Sequence, residues 1–165
     1  MMIQVDSRER KWDHIKAHFE KEGIEYFVSK LPIGDYTNFD YPRLVIDRKQ
    51  NLQEVCTNLC QQHERFRNEL LLAQKLKVQL IFLVEHSRNI RTLSDVRHWV
   101  NPRLKESPYA LSGFALYQRL YTIERKYNTE FFFCGKQDTG KRLVELLKYY
   151  GTPYLPEYKS KGVLS

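Results

Sequence analysis

The sequence predicts an α/β domain, a sandwich whose helices flank a mainly parallel or mixed sheet. Three observations carry this. Short β-branched apolar runs alternate along the chain with apolar stripes at helical spacing. The run Leu80 to Val84 is apolar without interruption, as in a strand covered on both faces. The 165 residues are about one domain's worth, enough to bury a real core.

Taken in order, Ile3 to Asp6 is predicted to be a short strand. Trp12, Ile15 and Phe19 recur at helical spacing, and Gly23 stands where a helix end favours glycine. Tyr26 to Leu31 is predicted to be a second strand, interrupted by Pro32 and Gly34 before Asp35. Asp40, Tyr41 and Pro42 mark a turn into a strand from Leu44 to Lys49. Leu52, Val55, Cys56, Leu59, Cys60, Phe66, Leu70 and Ala73 trace one helical stripe between Asn51 and Lys77, with a break near Gln61. Residues 101–108 are polar and proline-punctuated, an exposed loop. A helix is expected from Ser112 to Tyr127, a strand from Glu130 to Phe133, and a last helix from Thr139 to Tyr150. Residues 1–150 are thus expected to form the domain and residues 151–165 a tail.

Composition narrows the function classes. Hydrophobic residues at 42% and aromatics at 13% exclude a disordered chain. Lysine and arginine outnumber aspartate and glutamate 27 to 20, a formal charge of +7, which favours an anionic partner such as nucleic acid. Three cysteines do not make a disulfide framework. The charged N-terminus lacks a signal-peptide pattern and no stretch approaches a membrane span, so a cytoplasmic setting (nuclear in a eukaryote) and no membrane partner are expected.

The chemistry concentrates in Gly34-Asp35-Tyr36 and Val45-Ile46-Asp47-Arg48-Lys49. Side chains alternate along a strand, so Val45, Asp47 and Lys49 share one face while Ile46 and Arg48 share the other. An acid and a lysine emerging together from a buried strand suit a magnesium or manganese ion, which takes one or two carboxylates plus phosphate oxygens and waters. Such an ion orients a phosphodiester and activates water. Lys49 could position or deprotonate that water, or neutralise the phosphate. Asp35, a spacer of eleven residues, then Asp47-x-Lys49 matches the acidic signature of restriction-endonuclease-like nucleases. A structural salt bridge is the bland alternative.

Read together, Val5-Asp6-Ser7-Arg8-Glu9, Gly34-Asp35-Tyr36 and Ile46-Asp47-Arg48-Lys49 resemble the XPF family of structure-specific endonucleases. That family carries Val-Asp-x-Arg-Glu, Gly-Asp and Glu-Arg-Lys-x-x-x-Asp in this order. His63-Glu64-Arg65-Phe66-Arg67-Asn68-Glu69-Leu70 looks like its Arg-Leu/Phe-x-x-Gln helix, and Leu83-Val84-Glu85 like the strand that follows. The resemblance implies a restriction-endonuclease-like three-layer sandwich around a mixed sheet. It implies a magnesium- or manganese-dependent endonuclease acting on branched, flapped or partly single-stranded DNA during repair or recombination. It makes Asp35 and Asp47 metal ligands, Asp6 a member of the same acidic cluster, and Lys49 the catalytic lysine. Arg48 and Arg65 would contact phosphate or hold the acids, and Arg8 and Glu9 would frame the site. An ion-pair network is the alternative for Arg8, Glu9 and Arg65.

Two departures stand out. Asp47 replaces a glutamate, and the family's last aspartate falls on Gln53, with Glu54 beside it but about 100° away around a helix. The second departure favours an alternative reading, a catalytically weak or inactive DNA-binding or partner module. Relatives usually add a tandem helix-hairpin-helix domain and work as dimers. No such domain is recognisable here, so selectivity is expected from the basic surface, a homodimer or a partner protein.

Other signals are weaker. Gly135 to Arg142 nearly forms a phosphate-binding loop, but Arg142 stands where a magnesium-holding hydroxyl is needed. A turn capped by Asp138 or Thr139 is the plainer reading, with phosphate contacts from Lys136 and Lys141 as the residual expectation. Cys56, Cys60 and His63 could share a helical face, but core cysteines explain them better than zinc.

Overall fold

The computed structural model describes residues 1–86 and 89–150, with the Tyr150 side chain set aside; the expected tail, residues 151–165, lies outside the described residues. The order is β1 (Ile3–Val5), α1 (Asp13–Lys21), β2 (Tyr26–Val28), β3 (Tyr36–Asn38), β4 (Leu44–Lys49), α2 (Leu52–Cys60), α3 (His63–Leu76), β5 (Gln79–Glu85), α4 (Gly113–Tyr127), β6 (Glu130–Cys134) and α5 (Thr139–Tyr150). Short 3-10 turns occupy Leu93–His98, Pro102–Lys105 and Lys136–Asp138.

The helix boundaries follow local chemistry. The Asn51 side chain accepts from the Glu54 amide to start α2, and Ser112 accepts from the Ala115 amide to start α4. Gly23 adopts φ +63° just past α1, where it releases the chain toward β2. The stripe expected to break near Gln61 does so, giving two helices rather than one.

Six strands form one mixed sheet in the order β2-β1-β3-β4-β5-β6. β1 pairs antiparallel with β3, and β3 antiparallel with β4, while β1–β2, β4–β5 and β5–β6 are parallel. Two apolar cores lie on its two faces, which makes the molecule a three-layer sandwich. Val45, Leu80, Phe82 and Val84 meet Leu52, Val55, Phe66, Leu70, Leu116 and Leu120 from α2, α3 and α4 on one side. Leu44, Ile46, Ile81 and Leu83 meet Ile15, Phe19, Leu143 and Leu147 from α1 and α5 on the other. Period-two alternation along β4 and β5 supplies both.

The antiparallel insertion of β3 decides where polar residues gather. Tyr36 at its start pairs with Val5 at the end of β1 and with Ile46 late in β4. Lys49 pairs with Val84, and Glu85 with Cys134, so the ends of β1, β4, β5 and β6 and the start of β3 lie along one edge. Sites in open α/β sheets favour that edge. Among the described residues, no helix is long and apolar enough to cross a membrane.

Candidate active site

The chain enters β3 through Gly34, whose φ of +65° is open mainly to glycine. A Cβ there would lie 2.3 Å from Val45 Cγ1, so the turn presses directly onto β4. Asp35 follows: its amide donates to the Ile46 carbonyl at 2.9 Å, and its carbonyl accepts from the Asp6 amide at 2.7 Å. Backbone bonds alone therefore bring Asp6, Asp35 and Asp47 to one place. A cleft of about 480 Å³ opens above them, lined by these acids, Lys49, and Glu54, Arg65 and Glu69 from the α2–α3 wall.

Asp47 and Lys49 both project toward that wall, on the face of Val45. Lys49 Nζ stands 2.7 Å from Asp47 Oδ1, and both side chains are buried. The ammonium also lies 5.7 Å from the centre of the Phe82 ring. Burial works to remove the Lys49 proton, but the charge and hydrogen bond of Asp47, with the charges of Glu69 and Glu54, together outweigh it and raise the pKa above the usual lysine range. Asp35 Oδ2 accepts from the Arg48 amide at 2.8 Å. Desolvation, together with the charges of Asp47 and Glu9, pushes the Asp35 carboxyl well up from the ordinary aspartate range. Acids crowded this way lack positive charge.

Two acids of the wall escaped the sequence reading or were left undecided by it. Glu54 lines the cleft and Gln53 does not, so the helical register turns the neighbouring acid inward. Glu54 Oε2 accepts from the Gln50 amide at 2.7 Å, which ties it to the end of β4. Glu69, on α3, lines the cleft as well; burial first, then the charge of Asp47, raise its pKa to about 7. Its only sequence signal is its place four residues after Arg65 in the helix resembling Arg-Leu/Phe-x-x-Gln.

The remaining sequence-predicted residues divide by location. Arg48 points to the opposite face, fully buried, where it donates to Glu9 at 2.9 and 3.0 Å, to Glu85 at 3.1 Å and to the Arg10 carbonyl at 2.6 Å. Its side chain holds three segments together while its backbone amide serves Asp35, so of the two roles expected for it the arrangement fits the supporting one. Glu85 also takes His14 at 2.6 Å and Thr139 at 2.9 Å. Arg8 binds Asp6 through its side chain at 2.7 Å and remains largely exposed at the mouth of the cleft, where Arg65 is exposed too.

Lys136 and Lys141 do not line the cleft. Lys141 is exposed near Glu145 at 4.0 Å, and the start of α5 is occupied by the Thr139–Glu85 hydrogen bond. A carboxylate already placed there repels phosphate, so the loop-like pattern of Gly135 to Arg142 and the two lysines drop out of the site. Cys56 is buried with its thiol pushed up to about 11 by burial, while exposed Cys60 ends α2 and His63 begins α3. They are core and surface residues.

The donor set fits a hard divalent cation: carboxylate oxygens, a deficit of positive charge, and an open cleft for phosphate. Among the described residues, however, no three His, Cys, Asp or Glu side chains form a ready metal cage. Asp6 lines the same cleft, but its oxygens are already engaged. Its oxygens accept from Arg8 and from the Leu31 amide at 2.6 Å, and although burial works the other way, these bonds lower its pKa. What remains is the Asp35–Asp47 pair, which is sufficient for an ion that keeps waters and takes phosphate oxygens.

Known proteins agree with the architecture. The chain superposes on XPF from Aeropyrum pernix with a TM-score of 0.67 at 17% identity, covering 97% of this chain and 69% of that one. It also superposes on XPF from Aeropyrum pernix in complex with DNA, with a TM-score of 0.64 at 16% identity, covering 93% and 66%. No curated protein sequence matches the chain. The model of the ERCC4 domain matches residues 5–146, nearly the whole described domain, and the chain belongs to that family.

Proposed function

We propose that this domain is a magnesium- or manganese-dependent DNA endonuclease. It hydrolyses phosphodiester bonds in branched, flapped or partly single-stranded DNA during repair or recombination. The observation that supports this most is the buried Lys49–Asp47 pair, 2.7 Å apart, beside Asp35 on the floor of an open cleft. Asp35 and Asp47 would hold the ion, whose chemistry when bound is to polarise the phosphodiester and acidify a water.

The protein's own groups do the rest. Lys49 keeps its proton at neutral pH, because its pKa is raised. This supports a role as a fixed cation beside the phosphate over that of the base, among the roles the sequence leaves open. Arg8 and Arg65 at the mouth of the cleft take flanking phosphates. Asp6 anchors Arg8 and the Leu31 backbone, and Arg48 holds β4 against the segment bearing Glu9. A relative's structure with DNA supports nucleic acid as the partner. A homodimer or a partner protein would supply further selectivity.

The alternative, an inactive binding module, is favoured by Gln53 in place of an acid. Glu54 facing the cleft weakens that argument. The test is incubation of fork, flap and single-stranded DNA with magnesium or manganese, wild type against Asp47→Asn. Cutting by wild type alone is expected. Binding without cutting on every substrate would leave the inactive module.

A further inference from the structure

Three aromatic rings of α4 stand in a row on one helical face. Phe114, Tyr117 and Tyr121 follow one another with ring centres 6.5 and 6.0 Å apart. Phe114 is 55% and Tyr121 42% exposed, while Tyr117 between them packs partly into the core. Large rings grouped in water mark a surface that meets something. Two of the three carry a cation: the Arg97 guanidinium lies 5.4 Å from the centre of Tyr117, and that of Arg125 lies 5.1 Å from the centre of Tyr121. Ser94 steadies Arg97, its hydroxyl accepting from Nη2 at 2.8 Å and its carbonyl from Nε at 3.0 Å.

The row begins at the edge of the sheet where the cleft lies. A Cβ on Gly113 would lie 2.3 Å from the Trp99 carbonyl oxygen and 2.5 Å from that of Val96, so α4 starts directly on the turn Leu93–His98. Trp99 in turn meets the ring of His86, the residue after β5, at 6.2 Å. α4 also packs on the sheet face of Val45, the face that carries Asp47 and Lys49. A strand leaving the cleft would reach the rings without crossing the sheet.

We propose that this ladder binds a single-stranded segment of the DNA substrate, with bases stacked on the rings and guanidinium planes and phosphates beside the cations. This rests on the nuclease reading of the cleft. Charge selects the occupant, because α4 carries Arg119, Arg125 and Lys126 against Glu124 alone. Glu124 is half-buried and accepts from the Phe131 amide at 2.8 Å; Asp95 accepts from the Arg91 and Thr92 amides, both at 2.9 Å. Both carboxylates are thus already engaged. Flat rings interleaved with cations suit an anionic chain with free bases. A duplex hides its base faces and would use the cations alone.

The experiment uses the full chain without divalent ions, so that no strand is cut. Wild type is compared with Phe114→Ala and Tyr121→Ala, singly and together, and with Tyr121→Trp. The probes are labelled oligothymidylate, the same backbone without bases, and a duplex. Expected is a fall of about tenfold or more in oligothymidylate affinity for the double variant, down to the level of the abasic strand. Abasic and duplex binding should stay as in wild type. Tyr121→Trp should keep the affinity, and its added fluorescence should be quenched by oligothymidylate and not by the abasic strand. Unchanged oligothymidylate binding by the double variant would overturn the proposal, as would an equal loss on the abasic strand or an unquenched tryptophan. So would a lower sedimenting mass of the variant without DNA, which would assign the face to a second copy of the chain. A wild type that binds none of the probes sinks the DNA reading of the whole domain, whereas duplex binding with no preference for bases over the abasic strand sinks the ladder alone.

Discussion

The Lys49 ammonium stands 2.7 Å from the Asp47 carboxylate, both on the same face of β4, while Arg48 between them points through the sheet to Glu9 and Glu85. Strand alternation thus divides three consecutive charged residues into a pair facing the cleft and one for support.

Lys49→Met removes the fixed cation while keeping the stem's bulk. Loss of one preorganised donor at a developing charge costs about 10²–10³ in kcat. Single-turnover cleavage at saturating enzyme is expected to fall by that order, with DNA affinity little changed. A rate within threefold of wild type would remove Lys49 from the chemistry.

Arg48→Met leaves Glu9 and Glu85 buried without their shared cation. Breaking a buried pair from one side costs about 3–5 kcal/mol. Denaturant unfolding should show a loss of that order, and Arg48→Lys should recover little of it, since an ammonium cannot reproduce the planar fork. A loss below about 1 kcal/mol would mean that the network is not stabilising β4.

How much of this was legible in the sequence depended on the range of the interaction. β4, β5 and the helices carry strong periodicity, and the face shared by Val45, Asp47 and Lys49 followed from alternation alone. β3 was not anticipated: Tyr36–Asn38 is three residues long, two of them polar, and it exists because β1 and β4 flank it. The strand expected over Tyr26 to Leu31 is shorter, since only Tyr26–Val28 finds a partner strand. The 3-10 turns after β5 gave no periodic signal. In the site, Glu54 and Gln53 could not be separated without the helix register, and Glu69 reaches Asp47 only through tertiary packing. Lys136 and Lys141 misled because a glycine turn before a helix resembles a phosphate loop wherever it occurs; the buried Glu85 that excludes phosphate there lies on another strand.

Gly34→Ala forces a side chain into a φ of +65° and against Val45 Cγ1 at 2.3 Å and the Ile46 carbonyl at 3.2 Å. The backbone must shift at the residue before Asp35. A stability loss of about 1–3 kcal/mol is expected, together with weakened manganese binding. Unchanged calorimetric affinity would show that the turn does not set the position of Asp35.

The acidic cleft makes stability depend on pH with a definite sign. Glu69 titrates at about 7 in the folded protein, above the 4.5 of an ordinary glutamate, and Asp35 is also raised. Between those two values the folded state holds more protons than the unfolded one, so this contribution to stability is complete below about pH 4.5 and is lost as pH rises toward 7. In the absence of divalent ions, the difference in Tm between Glu69→Gln and wild type should therefore grow in favour of the variant from pH 5 to pH 8. Manganese should stabilise wild type more at pH 8 than at pH 5. A pH-independent difference would contradict the crowding of acids.

The most direct measurement is anomalous scattering from a crystal grown with manganese. One ion contacting both the Asp35 and Asp47 carboxylates, with the Lys49 ammonium still beside the cleft floor, is the expected result. Manganese bound elsewhere, or a cleft without an ion at millimolar manganese, would contradict the central claim that these two acids form a metal site.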